Sequence, residues 1–293
     1  MTDNSHIILS VLAHPDDESF GMGGTLALYA TRGAAVHLVC ATRGEVGEVG
    51  PEYLRDYASI GELREAELRC ASGHLGLAGV YFMDYRDSGM PGSPDNQHPR
   101  ALAAQPLEQV AACVAQYIRK IRPQVVLTFD PIGGYYHPDH VAIHKATVRA
   151  FALAGDPSFP GDGDEVLPPF TPQKLYFHTI SRRFMRVMVR LLPLMGQNPH
   201  KWGKNGDIDL AALAIKDFPI DAEVDYHSMV ERKTAASACH ASQGGMGLSM
   251  GRFRWLFKLL VPEKDFFMRA IPPPGGRREK DLFTGLFSTP KRG

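Results

Sequence analysis

Ile7-Ile8-Leu9-Ser10-Val11-Leu12-Ala13 runs without a break into His14-Pro15-Asp16-Asp17-Glu18. The first seven residues are a short, nearly continuous apolar run, the mark of a strand covered on both faces. The next five end it with one imidazole, one proline and three carboxylates. Gly23 to Arg32 then reads as a helix and Val36 to Ala41 as a second apolar strand. The alternation continues with a helix over Gly61 to Leu75, a strand at Val80 to Met83 and a helix over Pro106 to Arg122. Val125 to Phe129, His140 to Leu153 and Lys174 to Thr179 supply strand, helix and strand again. Short apolar runs separated by helices predict an α/β fold: a mainly parallel sheet with helices on both faces.

Residues 1–180 form the core of this domain, and 181–293 read as a C-terminal elaboration of it. Phe184, Val187, Met188, Leu191, Leu192 and Met195 fall on one helical face, and Arg182, Arg186 and Arg190 make a basic row on another. Residues 196–217 are polar and Gly-rich, which suggests a lid or insertion. Ser228 to His240 reads as a helix, and the Pro- and Gly-rich end from Pro272 is expected to be partly disordered. Between 182 and 204 there are six basic residues (Arg182, Arg183, Arg186, Arg190, Lys201, Lys204) and no acidic one. A solvated helix face is the plain reading. A lid over a polar substrate, a subunit interface in a homo-oligomer, and membrane-surface attachment joined by Arg252 to Lys258 rank below it, attachment last.

The chain of 293 residues is long enough to bury roughly three quarters of its unfolded surface. Lys plus Arg and Asp plus Glu both total 32, so there is no surplus of positive charge for a general nucleic-acid binder. No basic leader with a cleavage site precedes Ile7, and no run approaches the ~18 apolar residues of a membrane span. The four cysteines (Cys40, Cys70, Cys113, Cys239) are far apart and form no CxxC. They are read as buried reduced thiols in a cytoplasmic protein, without a disulfide framework. The twelve histidines stand out, because His is both the commonest metal ligand and the usual acid or base near neutral pH.

Chemistry concentrates just past two strands. After the fourth comes Asp130-Pro131-Ile132-Gly133-Gly134-Tyr135-Tyr136-His137-Pro138-Asp139-His140. His-Pro-Asp therefore occurs twice, each time at the carboxyl edge of a parallel sheet. First and fourth strands are commonly neighbours where a doubly wound sheet reverses its order, and ligands bind in that crevice. Crowded carboxylates oppose one another's ionisation, and a divalent cation removes the conflict. Two His and one Asp around an open position suit catalytic zinc, leaving an Asp and a His for proton transfer. One His-Pro-Asp alone would read as a turn or helix cap. Two copies at equivalent strand ends favour a site.

Other readings are weaker. The same ligand type would suit a mononuclear Fe(II) oxygenase. Gly44 to Gly50 is Gly-rich but acidic and lacks the Lys-Ser/Thr of a phosphate loop, and no GxGxxG follows strand one, so nucleotide binding fails on its own motifs. His144 reads as a supporting or surface residue, Glu18 as an ordinary helix-start acid. Cys239-His240 has no other support as a thiol nucleophile, while His240 is a candidate for the pocket.

His14-Pro15-Asp16-Asp17-Glu18 with His137-Pro138-Asp139-His140 resembles the PIG-L/LmbE family of zinc-dependent N-acetylglucosaminyl deacetylases. Ala41-Thr42-Arg43-Gly44-Glu45-Val46-Gly47-Glu48, Arg64-Glu65-Ala66-Glu67-Leu68, Tyr85-Arg86-Asp87-Ser88-Gly89-Met90 and His240-Ala241-Ser242-Gln243 are similar to the branch with the mycothiol-pathway deacetylase and conjugate amidase. The resemblance implies a Rossmann-like fold and one Zn2+ per chain, held by His14, Asp17 and His140, a site that Fe2+ would also suit. It makes Asp16 the general base and His137 the general acid and oxyanion partner. Asp139 would orient and charge-tune His137, and Tyr135 would donate toward the oxyanion. Arg64 and Asp87 would hold sugar hydroxyls, with Glu48 or Glu45 near the glucosamine ring. The implied reaction removes the N-acetyl group from an N-acetylglucosamine conjugate, such as a low-molecular-weight thiol precursor. An amidase cleaving a larger acyl group is the alternative, and a non-catalytic sugar-binding module a more distant one.

Overall fold

The five apolar runs become the five parallel strands of one sheet: β1 (Ile7–Leu12), β2 (Ala35–Thr42), β3 (Gly79–Tyr85), β4 (Val125–Phe129) and β5 (Lys174–Thr179). The computed structural model describes residues 6–161, 166–201, 206, 208–216, 218–245 and 263–286. The full order is β3-β2-β1-β4-β5-β7-β6. β1 pairs with β2 on one side and β4 on the other, Ile8 standing beside Val125, so the order reverses between them as expected. The residues after Leu12 and after Phe129 leave neighbouring strands at the same edge, which brings the two His-Pro-Asp segments together.

The helices are α1 (Asp17–Phe20), α2 (Gly23–Thr31), α3 (Ile60–Leu75), α4 (Leu107–Ile121), α5 (Gly133–Tyr136), α6 (Pro138–Leu153), α7 (Arg182–Leu191), α8 (Leu210–Leu213) and α9 (Val230–Cys239). α2, α3 and α9 pack together, as do α4 and α6. Right-handed crossovers outward from β1 to β3, and then back through α4 to β4, place these two groups on opposite faces. α3 begins where the Ser59 hydroxyl accepts from Glu62 N at 3.1 Å and ends at Gly76, whose φ of 76° is a glycine conformation. Its Leu68 and Leu75 are fully buried under the sheet, each worth roughly 1.5–3 kcal/mol of burial. β1 is almost wholly inaccessible, as its unbroken apolar run requires.

Two strands lie beyond the sequence reading. β7 (Lys264–Ile271) runs antiparallel beside β5, and β6 (Ala222–Asp225) antiparallel beside β7. The C-terminal part thus completes the sheet, and buried polar pairs tie it to the core. The Asp265 carboxylate accepts from Thr25 N (3.0 Å) and Thr25 Oγ1 (2.7 Å), and Lys174 Nζ donates to Glu279 Oε1 at 2.9 Å. In its described part the Pro- and Gly-rich end packs back on the core, with Leu282 fully buried and its N–H donating to the Tyr29 hydroxyl at 2.7 Å.

Met185, Met188 and Leu192 of the α7 segment join Leu210 and Leu213 in a small separate core that touches Ile132 and Tyr135. Met188 and Leu192 belong to the expected face and Met185 joins them, while the side chains of Phe184 and Met195 lie outside the described residues. One expectation is overturned outright. Cys70 of α3 and Cys239 at the end of α9 form a disulfide, in which Cys40 and Cys113 take no part. The two are 169 residues apart, and only the packing of α9 on α3 brings them together. No helix among the described residues is long and apolar enough to cross a membrane. Arg252 to Lys258, considered for membrane attachment, lies outside the described residues.

Candidate active site

The segment after β1 turns hard. Asp16 has φ 119° and ψ −28°, a left-handed conformation that an aspartate holds only under constraint. Two side chains supply it through three hydrogen bonds. Asp16 N–H donates to Glu18 Oε2 at 3.0 Å, Arg64 Nη2 donates to Asp16 Oδ2 at 3.0 Å, and the same nitrogen donates to Pro15 O at 2.6 Å. Arg64 Nη1 reaches Gly44 O at 2.9 Å. Glycine is required there, since a Cβ on Gly44 would sit 1.9 Å from that guanidinium. Arg64, expected to hold sugar hydroxyls, lines the cleft but gives its hydrogen bonds to the loop that carries Asp16 and to Gly44 O.

The segment after β4 is shaped differently. The Asp130 carboxylate accepts from Ile132 N (3.1 Å) and Gly134 N (2.9 Å), folding the loop back. Gly133 and Gly134 have φ of 63° and 71°, and a Cβ on Gly133 would lie 2.5 Å from His140 Cβ. Pro138 then opens α6, and His137 caps it by accepting from Asp139 N at 3.2 Å through Nδ1.

Together the two segments bring His14, Asp17 and His140 to one point. His14 Nδ1 and His140 Nε2 are 3.2 Å apart, His140 Nε2 and Asp17 Oδ1 3.3 Å, and His14 Nδ1 and Asp17 Oδ2 3.6 Å. A tetrahedral ion with bonds of roughly 2.0–2.1 Å needs donors about 3.3 Å apart. The outer ring nitrogens fit the same picture. His140 Nδ1 donates to Gly133 O at 3.0 Å, and His14 Nε2 faces Asp139 Oδ2 at 3.1 Å, which leaves the other nitrogen of each ring with its lone pair inward. His14 also belongs to two overlapping donor groups, with His137 and His140 and with Asp87 and Asp139. The members peculiar to those groups have other partners. His137 Nδ1 accepts from Asp139 N, Asp87 Oδ1 accepts from Gly89 N at 2.8 Å, and Asp139 accepts from Ser88 N (2.9 Å) and the Ser88 hydroxyl.

Electrostatics mark the site as cation-seeking. Burial opposes a charged His14, yet Asp87, Asp139 and Asp17 outweigh it and hold its pKa well above the ordinary value. Burial likewise works against ionised Asp17, but His140 and His14 hold its carboxyl well below the usual range. A bound cation would relieve this surplus of carboxylate. Asp16 differs from its neighbour: burial, with Asp17 adding and Arg64 opposing, pushes it up to about 6. Burial and the nearby His14 and His140 rings push His137 down to about 2.

These groups open on a cleft of about 430 Å³ lined by His14, Asp16, Glu48, Arg64, Asp87, Tyr135 and His137. Tyr135, half-buried against the α7–α8 cluster, stands edge-on to His140 with ring centroids 5.0 Å apart. Glu45 stays out of the cleft wall and accepts from Asp87 N at 3.2 Å. Asp139 departs from its expected role, because its carboxylate attends His14 and Ser88 and only its backbone N–H reaches His137. His144 is buried, with Nδ1 on Phe129 O at 2.8 Å, apart from the donors. His240 also stays outside the cleft wall: it is fully buried, and its Nε2 meets Glu18 Oε1 at 2.7 Å. Besides Ser93 and the loop residues Val46, Gly47, Gly89 and Met90, the pocket residues that the sequence reading did not assign are Gln243 and Ile208, both from the C-terminal part. His240-Ala241-Ser242-Gln243 carried the signal for the first. Nothing local signalled the second.

Residues 9–151 match the family model described as PIG-L, GlcNAc-PI de-N-acetylase. A deacetylase of Thermomonospora curvata named for 1D-myo-inositol 2-acetamido-2-deoxy-alpha-D-glucopyranoside is 40% identical over 252 residues, covering 83% of this chain and 82% of that protein. The chain belongs to the PIG-L family. A deacetylase of the same name from Kineococcus radiotolerans is 41% identical over 97% of this chain and 84% of its own. Among solved structures, the N,N'-diacetylchitobiose deacetylase of Pyrococcus horikoshii superposes with a TM-score of 0.60 at 21% identity, covering 92% of this chain and 87% of that one. That likeness speaks to the fold alone. Family membership agrees with the resemblance of the two His-Pro-Asp motifs and with the mainly parallel sheet, and it makes the chain an N-deacetylase by class.

Proposed function

We propose that this PIG-L family member is a metal-dependent hydrolase that removes the N-acetyl group from an N-acetylglucosamine conjugate, with a glucosaminyl-inositol as the leading substrate. The observation that carries the reading is the meeting of His14, Asp17 and His140 at 3.2–3.6 Å beside Asp16, at the wall of a polar cleft. The inositol comes from the names of the relatives at 40% and 41% identity. His14, Asp17 and His140 would hold the ion, with Zn2+ preferred on the tetrahedral spacing of the donors and Fe2+ suiting the same set. Such an ion supplies Lewis acidity, making water acidic enough to attack at neutral pH and polarising the amide carbonyl.

The chain's own groups do the rest. Asp16, raised toward neutrality and fixed by Arg64 and Glu18, takes the proton of the attacking water. His137 has its Nδ1 lone pair engaged by Asp139 N–H, so in this geometry it is a neutral ring whose Nε2–H donates to the developing oxyanion. Tyr135 adds a second donor from the facing wall. That modifies the expected general-acid role of His137. The proton for the departing nitrogen comes from Asp16, which has just received one. Asp87 and Glu48, further carboxylates on the cleft wall, would accept from sugar hydroxyls, the kind of polar recognition that discriminates strongly. The substrate is a small soluble glycoside, and the reaction is placed in the cytoplasm.

The test is acetate release by the zinc-loaded enzyme on N-acetylglucosaminyl-inositol, N-acetylglucosaminyl-malate, free N-acetylglucosamine and diacetylchitobiose. Highest kcat/KM on the inositol conjugate is expected. Turnover only of substrates with a larger acyl group would make it an amidase, and oxygen-dependent turnover would make it an oxygenase.

A further inference from the structure

Away from the cleft, α3 and α9 bring three donor side chains together. Cys70 and His74 are four residues apart on α3, one turn along the same face, and Cys239 closes α9 against them. Their ligand atoms all lie within 4.8 Å of one another. Cys70 and His74 are exposed and Cys239 half-exposed. His74 has no hydrogen bond or ion pair among the described residues, and it stands in the last turn of α3, where the helix dipole favours positive charge.

We propose that Cys70, His74 and Cys239 form a second metal site that takes a soft divalent ion, Zn2+ above others, once the Cys70–Cys239 bond is reduced. Two thiolates and one imidazole with solvent in the fourth position make a tetrahedral set. The Cα atoms of the two cysteines are 5.9 Å apart, so both sulfurs can turn toward one ion by side-chain rotation. The set differs in kind from the two imidazoles and one carboxylate beside the cleft: thiolates select softer ions, so the two sites sort metals by ligand.

The gating step balances with a low-molecular-weight thiol or dithiol as reductant. Its thiolate attacks one sulfur, the Cys70–Cys239 bond breaks, and the reductant's sulfurs end as the new disulfide. Two electrons and two protons pass to the protein sulfurs, and each thiol gives up its proton to solvent when it ligates the ion. Disulfides in the cytoplasm are usually transient or redox-sensing, which suits an exposed pair. The disulfide and the ion are thus alternative ties between α3 and α9.

The probe is Co2+. Holoenzyme with its catalytic metal in place is reduced with a phosphine, freed of reductant under anaerobic conditions, and titrated beside the oxidised form. One further equivalent is expected in the reduced protein alone, with a near-ultraviolet thiolate-to-cobalt charge-transfer band that Zn2+ bleaches. Cys70→Ser and Cys239→Ser should each lose the extra equivalent while keeping the catalytic metal. His74→Ala, which leaves the thiols alone, should weaken binding by more than about tenfold, the least that loss of even a supporting group costs. The proposal is overturned if the reduced protein takes no further equivalent, takes it without the thiolate band, or keeps the band in Cys70→Ser.

Discussion

The two His-Pro-Asp segments share three residues and little else. In the first, Asp16 is in a left-handed conformation and the chain depends on outside help: Arg64 on its carboxylate and on Pro15 O, and Glu18 on its N–H, with His240 behind Glu18. In the second, His137 (φ −59°, ψ 130°), Pro138 and Asp139 simply start α6, and the histidine caps the helix it precedes. A strained residue of this kind costs of order 1–3 kcal/mol and persists only where its surroundings over-determine it. The first segment therefore offers an aspartate aimed off the regular path of the chain, at the expense of dependence on distant residues. The second offers a ring donor and a ligand on a rigid helix and supports itself. Identical tripeptides acquire different chemistry from what holds them.

Substitutions at five positions would sharpen or break this contrast. The largest effect belongs to what the segments share. His14→Ala should lose bound metal and activity together, with kcat/KM down on the order of 10⁴-fold or more, measured by metal analysis and acetate release. A variant that kept its metal would remove His14 from the ligand set. Asp16→Ala should keep the metal and lose about 10²–10⁴-fold in kcat. Near-normal turnover would refute the base assignment. The same residue sets a pH limb: a base must be ionised, so kcat/KM should fall as pH drops through about 6, in line with the raised pKa of Asp16.

His137→Ala should keep the metal and cost about 10²–10³-fold in kcat, as loss of one oxyanion donor does. The dependence of the first segment on remote support makes His240→Ala the next test. Its ring lies outside the cleft wall, yet loosening Glu18 should lower kcat about tenfold with KM nearly unchanged, and His240→Gln, which can still donate to Glu18, should restore part of it. Smallest is Pro138→Ala, where the helix start is already capped and stability should change by under about 1 kcal/mol, read by thermal denaturation. A large loss there would show the second segment to be as strained as the first.

The legibility of the molecule in its sequence follows the same division between self-supporting and dependent parts. β1, β2, β4 and β5 were readable because each is an apolar run buried on both faces, and β3, half-buried at the sheet edge, because it is still a short apolar run, a property of the run itself. β7 was not, because Lys264-Asp265-Phe266-Phe267 buries alternate residues at the antiparallel end of the sheet, and its charges make sense only once Asp265 has met Thr25. The Cys70–Cys239 pair fails for a similar reason: it depends on α9 lying on α3, which no local pattern announces. In the site, the choice of His14, Asp17 and His140 came from the family resemblance, whereas the meeting of the two His-Pro-Asp segments followed from strand order, and so could be anticipated. The partners of Arg64 and of the Asp139 carboxylate could not, since Gly44 O, Pro15 O and Ser88 reach them through loop geometry.

The ties from the C-terminal part to the catalytic loop also set a timetable. Glu18 waits for His240, and Thr25 at the start of α2 waits for Asp265. A ribosome that has finished β5 has made both His-Pro-Asp segments and most of the sheet, but the residues that brace Asp16 from behind are still tens of codons away. The catalytic loop is among the first parts of the chain to be synthesised and among the last to be set, so a chain released early would carry the motifs in full and lack the working enzyme.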